Sequence, residues 1–123
     1  MYVTLVKAHA GLAVLALALT LVWAVMVVAA KAGPGRASRL AYVGAVASTG
    51  LVGLTGVILA FAGGFVTMAF PWIGLVAVAG HGIAGARSQR FLAADRRGAA
   101  IAAAAVQVAL LLVAYGVMTA KPF

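Results

Sequence analysis

Few side chains in this sequence can do chemistry: His9, His81 and Gln107, the hydroxyls of Thr20, Ser48, Thr49 and Thr55, and the thioethers of Met26 and Met118. A neutral imidazole with one nitrogen held by an acceptor can offer its other nitrogen to a metal, above all to haem iron. A methionine sulfur is a familiar second ligand to such an iron. His81 shares a helical face with Gly74, Ala77, Ala84 and Gly85, which would leave room beside the ring for a flat cofactor. The candidate iron ligands are therefore His81 and His9, with Met26 near the depth of the first and Met118 near that of the second. Gln107 is the candidate acceptor that orients His81, and with Ser48, Thr49 and Thr20 not far away in depth it would make a polar layer in which the imidazole is hydrogen-bonded and neutral. Plainer roles exist for the same residues. His81 could simply hydrogen-bond a neighbouring helix, and His9 could meet lipid headgroups beside Lys7.

The surroundings of these residues narrow the chemistry. The 123 residues are 67% hydrophobic and 8% charged, with a mean hydropathy of +1.21, against roughly 45–50% apolar and about 25% charged in soluble domains. Such a chain cannot cover a surface that faces water. Asp95 is the only acidic residue and there is no cysteine, which excludes thiolate metal sites, disulfides and the small quinone-coupled thiol oxidases. No carboxylate falls within an apolar stretch, which argues against carboxylate-driven cation exchange.

A membrane span needs about 20 apolar residues, and four stretches qualify, at 3–30, 40–62, 65–86 and 98–120. The expected fold is all-α, an integral membrane up-down four-helix bundle forming a single domain over 1–123. In an alternative placement Pro71 starts the third helix, and 65–70 lies along the interface. The first stretch is too long for the apolar part of a signal peptide and ends in a basic stop. Gly50, Gly53, Gly56 and Ala60 form a small-residue series suited to helix packing, or to an oligomer face.

The net charge of +8 comes from nine Lys and Arg residues, seven of them within 31–39 and 87–97. They are not interleaved with aromatics in one patch, so nucleic acid is not the expected partner. Both segments are expected on the cytoplasmic side of a bacterial inner membrane, against anionic lipid headgroups, with both termini outside. Tyr2, Phe65, Phe70, Trp72, Tyr115 and Phe123 would then gather at the outer interface. At a rise of about 1.5 Å per residue from the cytoplasmic end, His81 lies roughly 10 Å deep and His9 roughly 30 Å deep. An offset of about 20 Å prevents the two imidazoles from sharing one haem.

The opening MYVTLVKAH, with its histidine at the start of the first helix, resembles the start of small four-helix proteins of the SirB family and of HemJ-type protoporphyrinogen oxidases. Gly80-His81 followed by basic residues and Phe91, and the terminal Lys121-Pro122-Phe123, are similar to the HemJ pattern. The likeness covers the whole chain in layout and a handful of residues in identity. It implies a haem-associated scaffold, with His9 matching the first-helix histidine that the HemJ group uses for haem and His81 matching one near the end of the third helix. Gly74 and Leu75 stand where HemJ-type enzymes carry a lysine. Ala, Leu and Thr replace their first-helix aromatic and Arg positions, and the SirB-type Pro-His and Asp of the second helix are missing. The expected role is a binding or accessory subunit rather than an enzyme, with b-type haem for electron transfer or haem handling. Partner subunits of a membrane complex, or a second copy, would complete it. A protoporphyrinogen oxidase and a cofactor-free structural subunit are the alternatives.

Overall fold

In lipid every backbone N–H and C=O must find its partner within the chain, and a long run of Ala, Leu and Val does this as a helix. The computed structural model describes residues 1–120, which form four α-helices and no strand: α1 (Tyr2–Ala29), α2 (Arg36–Ala62), α3 (Ala69–Ala93) and α4 (Arg97–Ala120). Lys121, Pro122 and Phe123 lie outside the described residues.

Two helices have bounds that differ clearly from the apolar stretches. α2 starts at Arg36 rather than residue 40, and α3 spans Ala69–Ala93 rather than 65–86, so Arg36, Arg39, Arg87 and Arg90 are helical. Arginine is a good helix former, and its charge marks where the chain leaves hydrocarbon, not where the hydrogen-bond ladder stops. At the start of α3, Pro71 occupies the first turn, where its missing N–H would have had no intrahelical acceptor.

The turns that end α2 and α3 share one device. Gly64 (φ +75°) follows α2, with Phe65 N–H donating to Ala60 O at 2.8 Å and Gly64 N–H to Phe61 O at 3.3 Å. Asp95 (φ +58°) follows α3, with Arg96 N–H donating to Phe91 O at 2.8 Å and Asp95 N–H to Leu92 O at 3.2 Å. Both are left-handed caps that use up the last free carbonyls of their helix. Aspartate is among the few residues other than glycine that adopt this conformation readily.

α1 packs closely on α2 and α3 on α4, and the two hairpins dock through α2–α3 and α1–α4, which leaves α1 and α3 diagonal across the bundle. All four helices are long and apolar enough to cross a membrane. Large apolar side chains such as Leu15, Val25, Leu54, Val76 and Leu112 face outward, a surface suited to lipid rather than water. The interior is built from small residues, among them Ala16, Ala45, Gly53, Ala77 and Ala104, which let the helices approach closely.

One end of the bundle is filled by bulk. Trp23, fully buried, lies against Tyr42 with ring centroids 5.4 Å apart, and forms a core with Val27, Ala41, Leu92, Ala100 and Ala104. The basic segments sit at this same end. Arg97 donates to the Val28 carbonyl at the end of α1, and a Cβ at Gly33 would stand 4.0 Å from the Leu92 carbonyl. Arg36, Arg39 and Arg97 are placed in the first turns of their helices, where a positive charge opposes the dipole. Their position therefore serves something other than helix stability. At the opposite end, Phe70 is buried against Phe65 (centroids 5.6 Å apart) instead of joining an interfacial belt, whereas Tyr2, Trp72 and Tyr115 are exposed.

Candidate functional site

At the end away from the arginines the bundle is incompletely filled. A cavity of about 300 Å³ is bounded by all four helices, and a second of about 210 Å³ adjoins it; both are lined by His9, Ala10, Gly56, Pro71 and Met118. Ligand pockets begin at about 300 Å³. Glycines of α2 and α3 border the larger cavity, and each takes a side chain from another helix. At Gly56 a Cβ would stand 3.3 Å from His9 Cε1, and at Gly74 it would collide with Met118 Cε. The His9 ring thus rests on the backbone of α2, and the Met118 methyl on that of α3.

His9 is held in a defined state. Its Nδ1 lies 2.8 Å from Thr55 Oγ1, and that hydroxyl donates to its own helix at Leu51 O (2.8 Å) and Val52 O (3.1 Å). When the single Thr55 proton is directed to those carbonyls, Thr55 accepts from His9 Nδ1–H and Nε2 keeps a lone pair. This is the arrangement of a ligating histidine whose far nitrogen is anchored by an outer acceptor. Nε2 has no partner among the described residues. The pairing with Thr55 was not foreseen. Its signal was present, since His9 and Thr55 are equally far in sequence from Ala32, the centre of the first turn.

His81 presents a different site. It is fully buried, and its Nε2 reaches across the bundle diagonal to Thr20 Oγ1 at 3.0 Å. Its Nδ1 has no partner, nor have Thr49 Oγ1, either amide atom of Gln107, or Trp23 Nε1. The face expected around His81 is the buried one, with Gly74, Ala77, Ala84 and Gly85 all inward. The room expected there for a flat ring is absent, because α4 fills it. Leu110 stands 3.0 Å from a Cβ at Gly80, and the Gln107 amide occupies the side-chain position of Gly85. His81 lines neither cavity.

The partner expectations divide accordingly. His9 and Met118 share a cavity, as their matched depths predicted. Met26 does not meet His81. It packs on the Trp23 core, six residues beyond Thr20 and so about 9 Å along α1 from the His81 level. Gln107 lies one turn from His81 along α3, at Gly85, without bonding it. Ser48 donates to Gly44 O at 2.6 Å within its own helix. Thr20 marks the His81 level on α1, eleven residues from His9, so the histidines are separated by about 16 Å. This is less than the expected 20 Å because α3 begins and ends later than its apolar stretch. Among the described residues no three His, Cys, Asp or Glu side chains come together as a metal site. Comparison with protein-family models, with curated proteins and with solved structures gives no match.

Proposed function

We propose that this is a small membrane-embedded binding or accessory protein whose cavity at His9 takes a planar, largely apolar macrocycle, b-type haem, for electron transfer or haem handling. The observation that supports it is the state of His9: Nδ1 anchored to Thr55, Nε2 unpartnered, in a cavity shared with a thioether. The residues fit such a group. His9 Nε2 and Met118 are the donors, Gly56 and Gly74 let the imidazole and the thioether methyl pack on the backbones of α2 and α3, and the lining is otherwise mostly aliphatic. Bound there, haem would supply a one-electron couple. The chain's own contribution is to fix the imidazole by its hydrogen bond and to exclude water with the apolar lining. This reading keeps the haem-associated character that the SirB and HemJ likeness implies, and assigns it to His9 instead of His81.

Basic-end orientation belongs to the same proposal. With residues 31–39 and 87–97 facing the cytoplasm and anionic headgroups, the His9 cavity lies toward the outer face of an inner membrane. A partner subunit or a second copy would meet the apolar outer surface.

The test is a visible spectrum of protein purified in mild detergent from haem-replete cells. A Soret band with a sharp reduced α band, lost in His9→Ala and kept in His81→Ala, is the expected outcome. Colourless wild-type protein, or loss of the band in His81→Ala alone, overturns the assignment. Labelling of Gly35→Cys and Thr67→Cys from each side of the membrane checks orientation, with only Thr67→Cys reacting from outside.

A further inference from the structure

The unpartnered polar atoms around His81 come from every helix of the bundle. Thr20 on α1, Thr49 on α2, His81 on α3 and Gln107 on α4 are each at most 1% exposed. Each lies one helical turn beyond a residue lining the His9 cavity, counted toward the basic end: Thr20 beyond Leu17, Thr49 beyond Val52, His81 beyond Val78, Gln107 beyond Leu111. The cavity therefore ends in an apolar collar, and directly behind the collar lies a polar layer with one member from each helix.

Within that layer the protein cannot satisfy itself. The Thr20–His81 contact is the one hydrogen bond between members. If Thr20 donates to Nε2, then the Nδ1–H of His81 is left without an acceptor. If Nε2–H donates to Thr20, the threonine proton is left over. Thr49 Oγ1 and both amide atoms of Gln107 add an acceptor and donors of their own. A buried polar group without a partner costs about 1–3 kcal/mol, and in hydrocarbon no bulk solvent relieves it. Burying several at neighbouring levels calls for small partners that both donate and accept.

We propose that the layer formed by Thr20, Thr49, His81 and Gln107 is a binding site for internal water, sealed from the His9 cavity by the collar of Leu17, Val52, Val78 and Leu111. Water both donates and accepts, and a buried water makes about three hydrogen bonds, which matches the complementary atoms left over here. Its position at the end of the cavity gives the interior of the bundle a hydrated floor. The inference is independent of what the cavity binds.

Solid-state NMR of the full chain in bilayers of phosphatidylethanolamine and phosphatidylglycerol tests this directly. The chain has two histidines and two glutamines, so side-chain nitrogen labels give few signals, and the variants His9→Asn and Gln89→Lys assign them without touching the layer. Magnetisation transferred from water should reach His81 and Gln107 side chains severalfold faster than the buried amides of Ala45 and Ala77, and on the timescale of Ser38 and Asp95. Transfer as slow as to those alanines overturns the proposal. A direct proton contact between His81 Nδ1 and Gln107 in place of water transfer overturns it too.

Discussion

The two histidines of this chain belong to opposite designs. His9 is partly buried, its Nδ1 is satisfied by a neighbouring helix, and its Nε2 is unpartnered within a cavity. His81 is fully buried, its Nε2 is satisfied across the diagonal, and its Nδ1 is unpartnered in a packed layer. The difference follows from what α4 offers at each level. Opposite His9 it presents Ala114 and Met118, which leave space, and opposite His81 it presents Leu110 and Gln107, which fill it. A glycine on α3 therefore does not by itself predict room for a ligand, because at Gly74, Gly80 and Gly85 alike a side chain of α4 packs on the backbone.

The sharpest way to break this contrast is to remove each imidazole and supply it from outside. His9→Gly is expected to abolish cofactor binding, with imidazole added to the buffer restoring the spectrum, because the vacated position opens on a cavity. His81→Gly is expected to keep the spectrum of the wild type and to be insensitive to added imidazole. Equal rescue at both positions would erase the distinction.

Stability should divide the two ends as well. Trp23→Ala empties the packed end and is expected to destabilise the bundle by about 3–5 kcal/mol in detergent unfolding. Leu17→Ala, beside existing space, is expected to cost about 2 kcal/mol, at the lower end for such truncations. A comparable effect is expected at Gly85→Ala, where the new methyl would meet the Gln107 amide at 2.5–3.3 Å. Displacing that amide should cost about 1–3 kcal/mol, the range for overpacking. Gly82→Ala, with nothing within 4 Å of its Cβ, is the matched control and should be neutral or slightly stabilising.

Much of this contrast was hidden from the sequence, for identifiable reasons. The four helices and their order were legible because hydrocarbon allows almost no other backbone solution. The ends of α2 and α3 were not, because Arg36, Arg39, Arg87 and Arg90 read as loop while extending their helices past the membrane edge. That error propagated into depth. It left His9 and Met118 at one level, because both were counted within well-bounded helices, and placed Met26 beside His81, where Thr20 stands instead. The depth count set Thr20 in the polar layer near His81 but did not single it out as the partner, since α1 and α3 are joined by no turn whose centre would set their register.

Thr55 tests the His9 half of the comparison most finely. Thr55→Val keeps the shape and the β-branch but removes the acceptor for His9 Nδ1–H. The fold should lose about 1 kcal/mol, the usual net value of one hydrogen bond. Cofactor affinity should fall by about tenfold or more, the loss typical when the outer partner of a ligating histidine is removed. Thr55→Ser, which retains the oxygen, should restore both. If the hydroxyl matters only for helix packing, Val and Ser would behave alike in the binding titration, because neither alters the backbone contact of the ring with Gly56. Thr49→Val is the counterpart in the His81 layer. There the hydroxyl has no protein partner, so its removal should leave the cofactor spectrum unchanged even if it shifts stability. A binding loss at Thr55 with none at Thr49 would mean that the imidazole bordering space, rather than the one sealed in the core, is the residue whose hydrogen bond governs ligation.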